Sequence, residues 1–159
     1  AERLLSDVIG LDWALVHDEA CRWEHVMSDQ VERRLLEILE NPSVTPYGTP
    51  IPPRPEQRSA EDWSRDMGLA GERLATAAAT PGRFRVLSLA EGIQADPELL
   101  TDLAAAGVVP GGLLRAQPAL EAGYVRIEAE ADGDAAAGDA LELHGDTAAH
   151  VWVEALPGE

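Results

Sequence analysis

Six prolines fall within residues 42–55, in the stretch NPSVTPYGTPIPPRP. Proline lacks an amide donor and fixes φ near −65°, so this density forbids both a helix interior and a central strand. The chain must therefore be built from what lies on either side, with an extended, polyproline-prone connection over about 42–59. On the N-terminal side the apolar spacing is helical. Leu4, Leu5, Val8 and Ile9 share a face before Gly10. A second helix is predicted over 12–26, with Asp12 as N-cap. A third follows Ser28, carries Val31, Leu35, Ile38 and Leu39 as its stripe, and stops at Asn41-Pro42.

Residues 60–79 read as a further helix weakened by two glycines. From about Pro81 the period changes. The segments 83–90, 112–118, 124–130, 140–145 and 150–155 alternate or cluster apolar residues at strand length, and a helix is predicted within 96–106 with Asp96 as cap. Five short strands and one helix predict a small, partly open barrel. The fold class expected is α+β, with a helical domain at 1–48, a proline-rich linker at 49–81 and a barrel domain at 82–159.

Charge narrows the function. The net charge is −17, and all 12 basic residues are arginine. Binding to nucleic acid needs a basic footprint, and no basic stripe is visible, so cations are the natural ligands of this field. No apolar run reaches the roughly 20 residues of a membrane span, and a single cysteine leaves no intrachain disulfide to form. A cytoplasmic setting is expected. No phosphate-binding loop, nucleotide fingerprint or zinc ribbon is present.

That cysteine lies in VHDEACRWEH, residues 16–25. At about 100° per residue, His17, Cys21, Glu24 and His25 fall within one arc of a helix, beside an apolar flank of Val16, Ala20, Trp23 and Met27. Imidazole, thiolate and carboxylate at i, i+3, i+4 spacing suit a divalent transition metal, and the thiolate disfavours magnesium and calcium. Spacing alone leaves a second reading open, in which the residues are ordinary packing and surface polarity. Cys–His nucleophilic catalysis is a third, but one helix face leaves little room for a substrate.

The segment ERLLSDVIGLDWALVHDEACRWEHVMSDQVERRL, followed by TPYGTPIP, resembles the metal-dependent dimerisation region of the diphtheria toxin repressor family of iron-dependent transcriptional regulators. The resemblance is dense over residues 2–52, and HDEACRWEHVMSD is its most specific part. The later sequence is similar, more loosely, to the family's SH3-like domain. The resemblance implies a winged helix-turn-helix reading head before residue 1, so the chain is expected to be a truncated piece, a proteolytic core or an incomplete gene product.

The resemblance further implies two metal ions per subunit. The primary site would take Cys21, Glu24 and His25, with a methionine from the missing domain. The ancillary site would take Glu2 and His17, a histidine just before residue 1, and a Glu-x-x-Gln pair matched here by Glu91 and Gln94. A thiolate at Cys21 points to Fe2+ as the effector, with Mn2+, Co2+, Ni2+ or Zn2+ as possible substitutes.

The expected function is therefore the metal-sensing and dimerisation portion of an iron-dependent repressor and not an enzyme. It would act as a homodimer that meets operator DNA only through the missing domain. Leu4, Val8, Leu11, Trp13 and Trp23 are the expected dimer contacts. The alternative is a metal-binding interaction module. Prolines 50, 52, 53 and 55 give PxxP spacings around Arg54, which the SH3-like domain could grip in its own chain.

Overall fold

The computed structural model describes residues 1–52, 69–130 and 140–158. It divides into two compact units, Ala1–Leu69 and Ala70–Glu159.

The first unit is helical, and its elements start and stop where the sequence supplies caps. The opening helix is wound as a π-helix over Leu4–Ile9 and ends at Gly10, whose φ of 74° is open to glycine at little cost. Asp12 accepts a hydrogen bond from the amide of Ala14 and starts the 3-10 turn Trp13–Leu15, which runs into the helix Val16–Glu24. Ser28 caps the helix Asp29–Ile38 by accepting from the amide of Val31. Glu40 and Asn41 then take positive φ, which ends the helix before Pro42. No residue of Asp29–Ile38 is buried.

The extended reading of the proline segment is overturned over residues 43–51, which close on themselves. The amide of Thr45 donates to the carbonyl of Thr49, that of Ile51 to Ser43, and that of Gly48 to Thr45, while Val44 and Pro50 form an antiparallel bridge. Pro46 and Gly48 occupy the two turn positions that favour them, so the prolines shape a loop here and do not stiffen a spacer. Arg3 fastens the loop to the first helix, donating from Nε to the carbonyl of Val44 at 2.8 Å.

The second unit is the SH3-like domain. Among the described residues, six strands make one antiparallel sheet: β1 Glu72–Arg73, β2 Gly82–Leu89, β3 Leu113–Pro118, β4 Tyr124–Ala129, β5 Leu141–His144 and β6 Val151–Ala155, in the order β1-β6-β2-β3-β4-β5. Phe84, Val86, Leu114, Ala116, Val125 and Ile127 alternate onto the buried face, as period-two patterning requires. The helix Pro97–Ala105 is capped by Asp96 and buries Leu100 and Leu103.

The helix expected over 60–79 is not formed in its described part. Gly71 has φ of 86°, residues 72–73 pair with β6, and only Leu74–Ala77 make one helical turn. Residues 60–68 of that expectation lie outside the described residues. Among the described residues, no helix is long and apolar enough to cross a membrane.

Candidate metal centre

Tyr47, at the apex of the proline loop, organises the site from beneath. It is fully buried. Its hydroxyl donates to the carbonyl of Trp13 at 2.8 Å and accepts from the amide of His17 at 3.0 Å. Burial pushes the phenol well above its ordinary range, so the hydroxyl keeps the proton that it donates. Trp13 lies against the same ring at 5.0 Å between centroids and donates from Nε1 to the carbonyl of Pro46. The start of Val16–Glu24 is thereby anchored, with Val16 and Ala20 buried beneath it.

On the other side of this helix the donors line up. His17 Nδ1 lies 3.1 Å from a carboxylate oxygen of Glu2, and both side chains are mostly covered. Its Nε2 lies 3.6 Å from the sulfur of Cys21, which is exposed. Carboxylate, imidazole and thiol thus form one continuous run, Glu2–His17–Cys21. Glu24 ends the helix and His25 is its C-cap, still at φ −77° and ψ −13°. Helical spacing therefore holds through His25, although both side chains are exposed. Among the described residues, no three His, Cys, Asp or Glu side chains are already gathered closely enough to hold an ion. Cys21, Glu24 and His25 share a spacing, then, without a closed cage: Cys21 is turned toward His17, and Glu24 and His25 are exposed at the helix end.

Glu91 and Gln94 belong to the second unit, on the helical turn Glu91–Gln94 that follows β2. Glu91 is exposed. Gln94 is only 4% exposed, and its Nε2 donates to the carbonyl of Leu89 at 2.8 Å. Only the amide NH2 can donate to a carbonyl, so the orientation of the amide is fixed and Oε1 is left as an acceptor. Among the described residues that oxygen has no hydrogen-bond partner, which is unusual for a buried polar atom and suits an oxygen ligand. The ring of His150 lies over Gly92, with Nδ1 2.7 Å from the carbonyl of Asp146. Its Nδ1 therefore carries the proton, donated to that carbonyl. Sequence reasoning missed both Tyr47 and His150. The TPYG turn was a usable signal for the first, and nothing local marks the second.

The donor set present, sulfur, nitrogen and oxygen, fits a divalent transition metal better than a hard cation. The expected dimer contacts fall into two groups. Val8 is 60% exposed, and Leu4 and Leu11 are half-buried. Trp13 is committed to Tyr47, and Trp23 donates from Nε1 to Glu19 at 2.8 Å. The proline-peptide reading finds no support. Grooves for such peptides are lined by aromatic rings. Here Phe84 is buried, Tyr124 packs on His144, and Trp152 lies under Arg73. Pro53 and Pro55 lie outside the described residues.

Residues 1–53 match the family model described as the iron dependent repressor, metal binding and dimerisation domain. The chain is 48% identical over 110 residues to the iron-dependent repressor IdeR of Mycobacterium tuberculosis, covering 69% of this chain and 48% of that protein. It is 45% identical over 112 residues to the diphtheria toxin repressor of Corynebacterium diphtheriae, covering 70% and 48%. The chain thus spans about half the length of the curated relatives it matches. Among solved structures, a manganese-dependent transcriptional repressor in complex with manganese superposes with a TM-score of 0.72 at 26% identity, covering 96% of this chain and 64% of the other. The IdeR of T. acidophilum gives 0.69 at 25% identity, covering 97% and 62%.

Proposed function

Because this chain belongs to the iron-dependent repressor family, with that family's metal binding and dimerisation domain at residues 1–53, we propose that it senses Fe2+ and dimerises for a cytoplasmic repressor. In the whole protein, metal binding would activate binding to operator DNA through a domain outside this sequence. Its role is regulatory and not catalytic.

Two ions per subunit are proposed. Cys21, Glu24 and His25 hold the primary ion. Glu2, His17, Glu91 and Gln94 serve the ancillary one. The metal supplies a centre that draws separate segments together, and metal and operator then raise each other's affinity reciprocally. The observation that carries the reading is the run Glu2–His17–Cys21, in which a ligand of each proposed site touches the same imidazole. The oriented oxygen of Gln94 supports it independently.

A homodimer is supported by the apolar surface of the first unit. Val8, Ile9, Leu15, Val26, Val31 and Ile38 are all exposed. Isologous pairing would bury such a stripe and would set two reading heads at operator spacing. Leu4, Val8 and Leu11 are the proposed contacts, with Trp13 and Trp23 behind them.

Anaerobic cobalt titration of the reduced chain tests the sensor reading. A saturable thiolate-to-cobalt absorption band is expected, and it should vanish in Cys21→Ala. A saturable cobalt spectrum indifferent to that substitution would move the metal elsewhere, and no spectrum at all would refute binding by this chain.

A further inference from the structure

The second unit has five arginines, and four of them lie on β2 and the two strands that follow it: Arg83, Arg85, Arg115 and Arg126. In a chain of net charge −17 this is a marked concentration. Arg83, Arg115 and Arg126 line one cavity of about 420 Å³, together with Glu128 and the small residues Gly82 and Ala116, which leave it unfilled.

The register makes the arrangement costly unless something compensates. Arg83 stands directly opposite Arg115 across β2 and β3, and like charges facing each other across a sheet repel. Glu130 bridges the two. It takes Arg83 through both oxygens, at 2.6 and 2.8 Å, and meets Nε of Arg115 at 3.3 Å. Arg126 spends Nε and Nη2 on a single oxygen of Glu128, at 3.2 and 3.0 Å. Glu130 and Glu128 thus each hold a guanidinium group of the cavity wall. The side chains of Arg115 and Arg126 remain 62% and 43% exposed, with donors to spare.

We propose that this cleft binds a small polyanion carrying two or more carboxylate or phosphate groups. Planar guanidinium forks match either group bidentately, and several forks around one cavity favour a ligand with several anionic groups over a single ion. The volume lies within the ordinary range of small-molecule sites. Nucleic acid is a poor candidate, because one cleft in a chain of net charge −17 is not the extended basic footprint that a phosphate backbone needs. The proposal stands apart from the metal sites.

The test uses the metal-free chain, since polycarboxylates chelate metal ions. Amide chemical shifts are followed during titration with citrate, with pyrophosphate and with acetate, at constant ionic strength. Saturable shifts confined to residues 82–85, 115–117 and 126–128 are expected with citrate or pyrophosphate. The tighter of the two identifies the chemical class. Acetate should shift the same amides only weakly. The double variant Arg115→Gln, Arg126→Gln should keep a dispersed spectrum, both side chains being exposed, and bind at least about tenfold more weakly. Linear, unsaturated shifts up to about 10 mM, or equal binding by the double variant, would overturn the site.

Discussion

Tyr47 shows how one side chain can set the geometry of another element. Its hydroxyl accepts from the amide of His17 and donates to the carbonyl of Trp13, so it occupies two backbone groups at the start of Val16–Glu24. Tyr47→Phe keeps the ring and strips both bonds. A loss of roughly 1–3 kcal/mol is expected from leaving buried polar groups unpaired, read from urea unfolding, and cobalt affinity should fall because His17 is no longer held. The proposed ligands come from sequence alone: spacing of three and four puts Cys21, Glu24 and His25 on one arc. What spacing could not disclose is that Cys21 meets His17 while Glu24 and His25 point to solvent. Such choices depend on rotamers and on contacts about 30 residues away, of which Tyr47 with His17 is an instance.

At the level of elements, the strands and the 96–106 helix could be read because their patterns are strong. Alternation at Phe84 and Val86, and a cap at Asp96 before Pro97, act locally. The failures share a cause. An alanine-rich run at 74–79 has high helix propensity, but pairing of 72–73 with β6 takes the chain into the sheet just before it. The proline segment closes through threonine and glycine turn chemistry that a count of prolines conceals.

The turn Glu91–Gln94 yields a prediction of this scale. A Cβ at residue 92 would lie 2.7 Å from Nε2 of His150. Gly92→Ala should push the ring aside and tilt the turn, costing about 1–3 kcal/mol as overpacking does, and the spectral signature of a second ion should weaken before that of the first. Metal titration of the variant, followed to two equivalents, checks it. Glu130 gives another. Its hydrogen bonds with Arg83, then its nearness to Arg83 and Arg115, hold its carboxyl below the usual glutamate range. A carboxylate with a lowered folded pKa stabilises above its unfolded value, and that contribution fades as pH falls through the lowered one. Thermal unfolding between pH 7 and 3 should therefore drop less steeply in Glu130→Gln than in the parent, and the difference should shrink in high salt.

The two units differ as whole bodies. Among its described residues the second buries seventeen apolar side chains, Phe84, Leu100 and Ile127 among them. Among its described residues the first buries five, Leu5, Ala14, Val16, Ala20 and Tyr47, while seven large apolar side chains stay exposed. A core of that size is marginal for independent folding. Light scattering on a size-exclusion column at tens of micromolar should show a dimer, and Val8→Glu together with Val31→Glu should shift it toward monomer.

If a second copy completes that core, the strength of the first unit is no longer a property of one chain. Folding and association become the same equilibrium, and protein concentration enters the free energy directly. Dilution alone would then act as a denaturant. The first unit should melt at lower temperature with each tenfold dilution, while the second unit, whose core is its own, should melt at a temperature that dilution leaves unchanged.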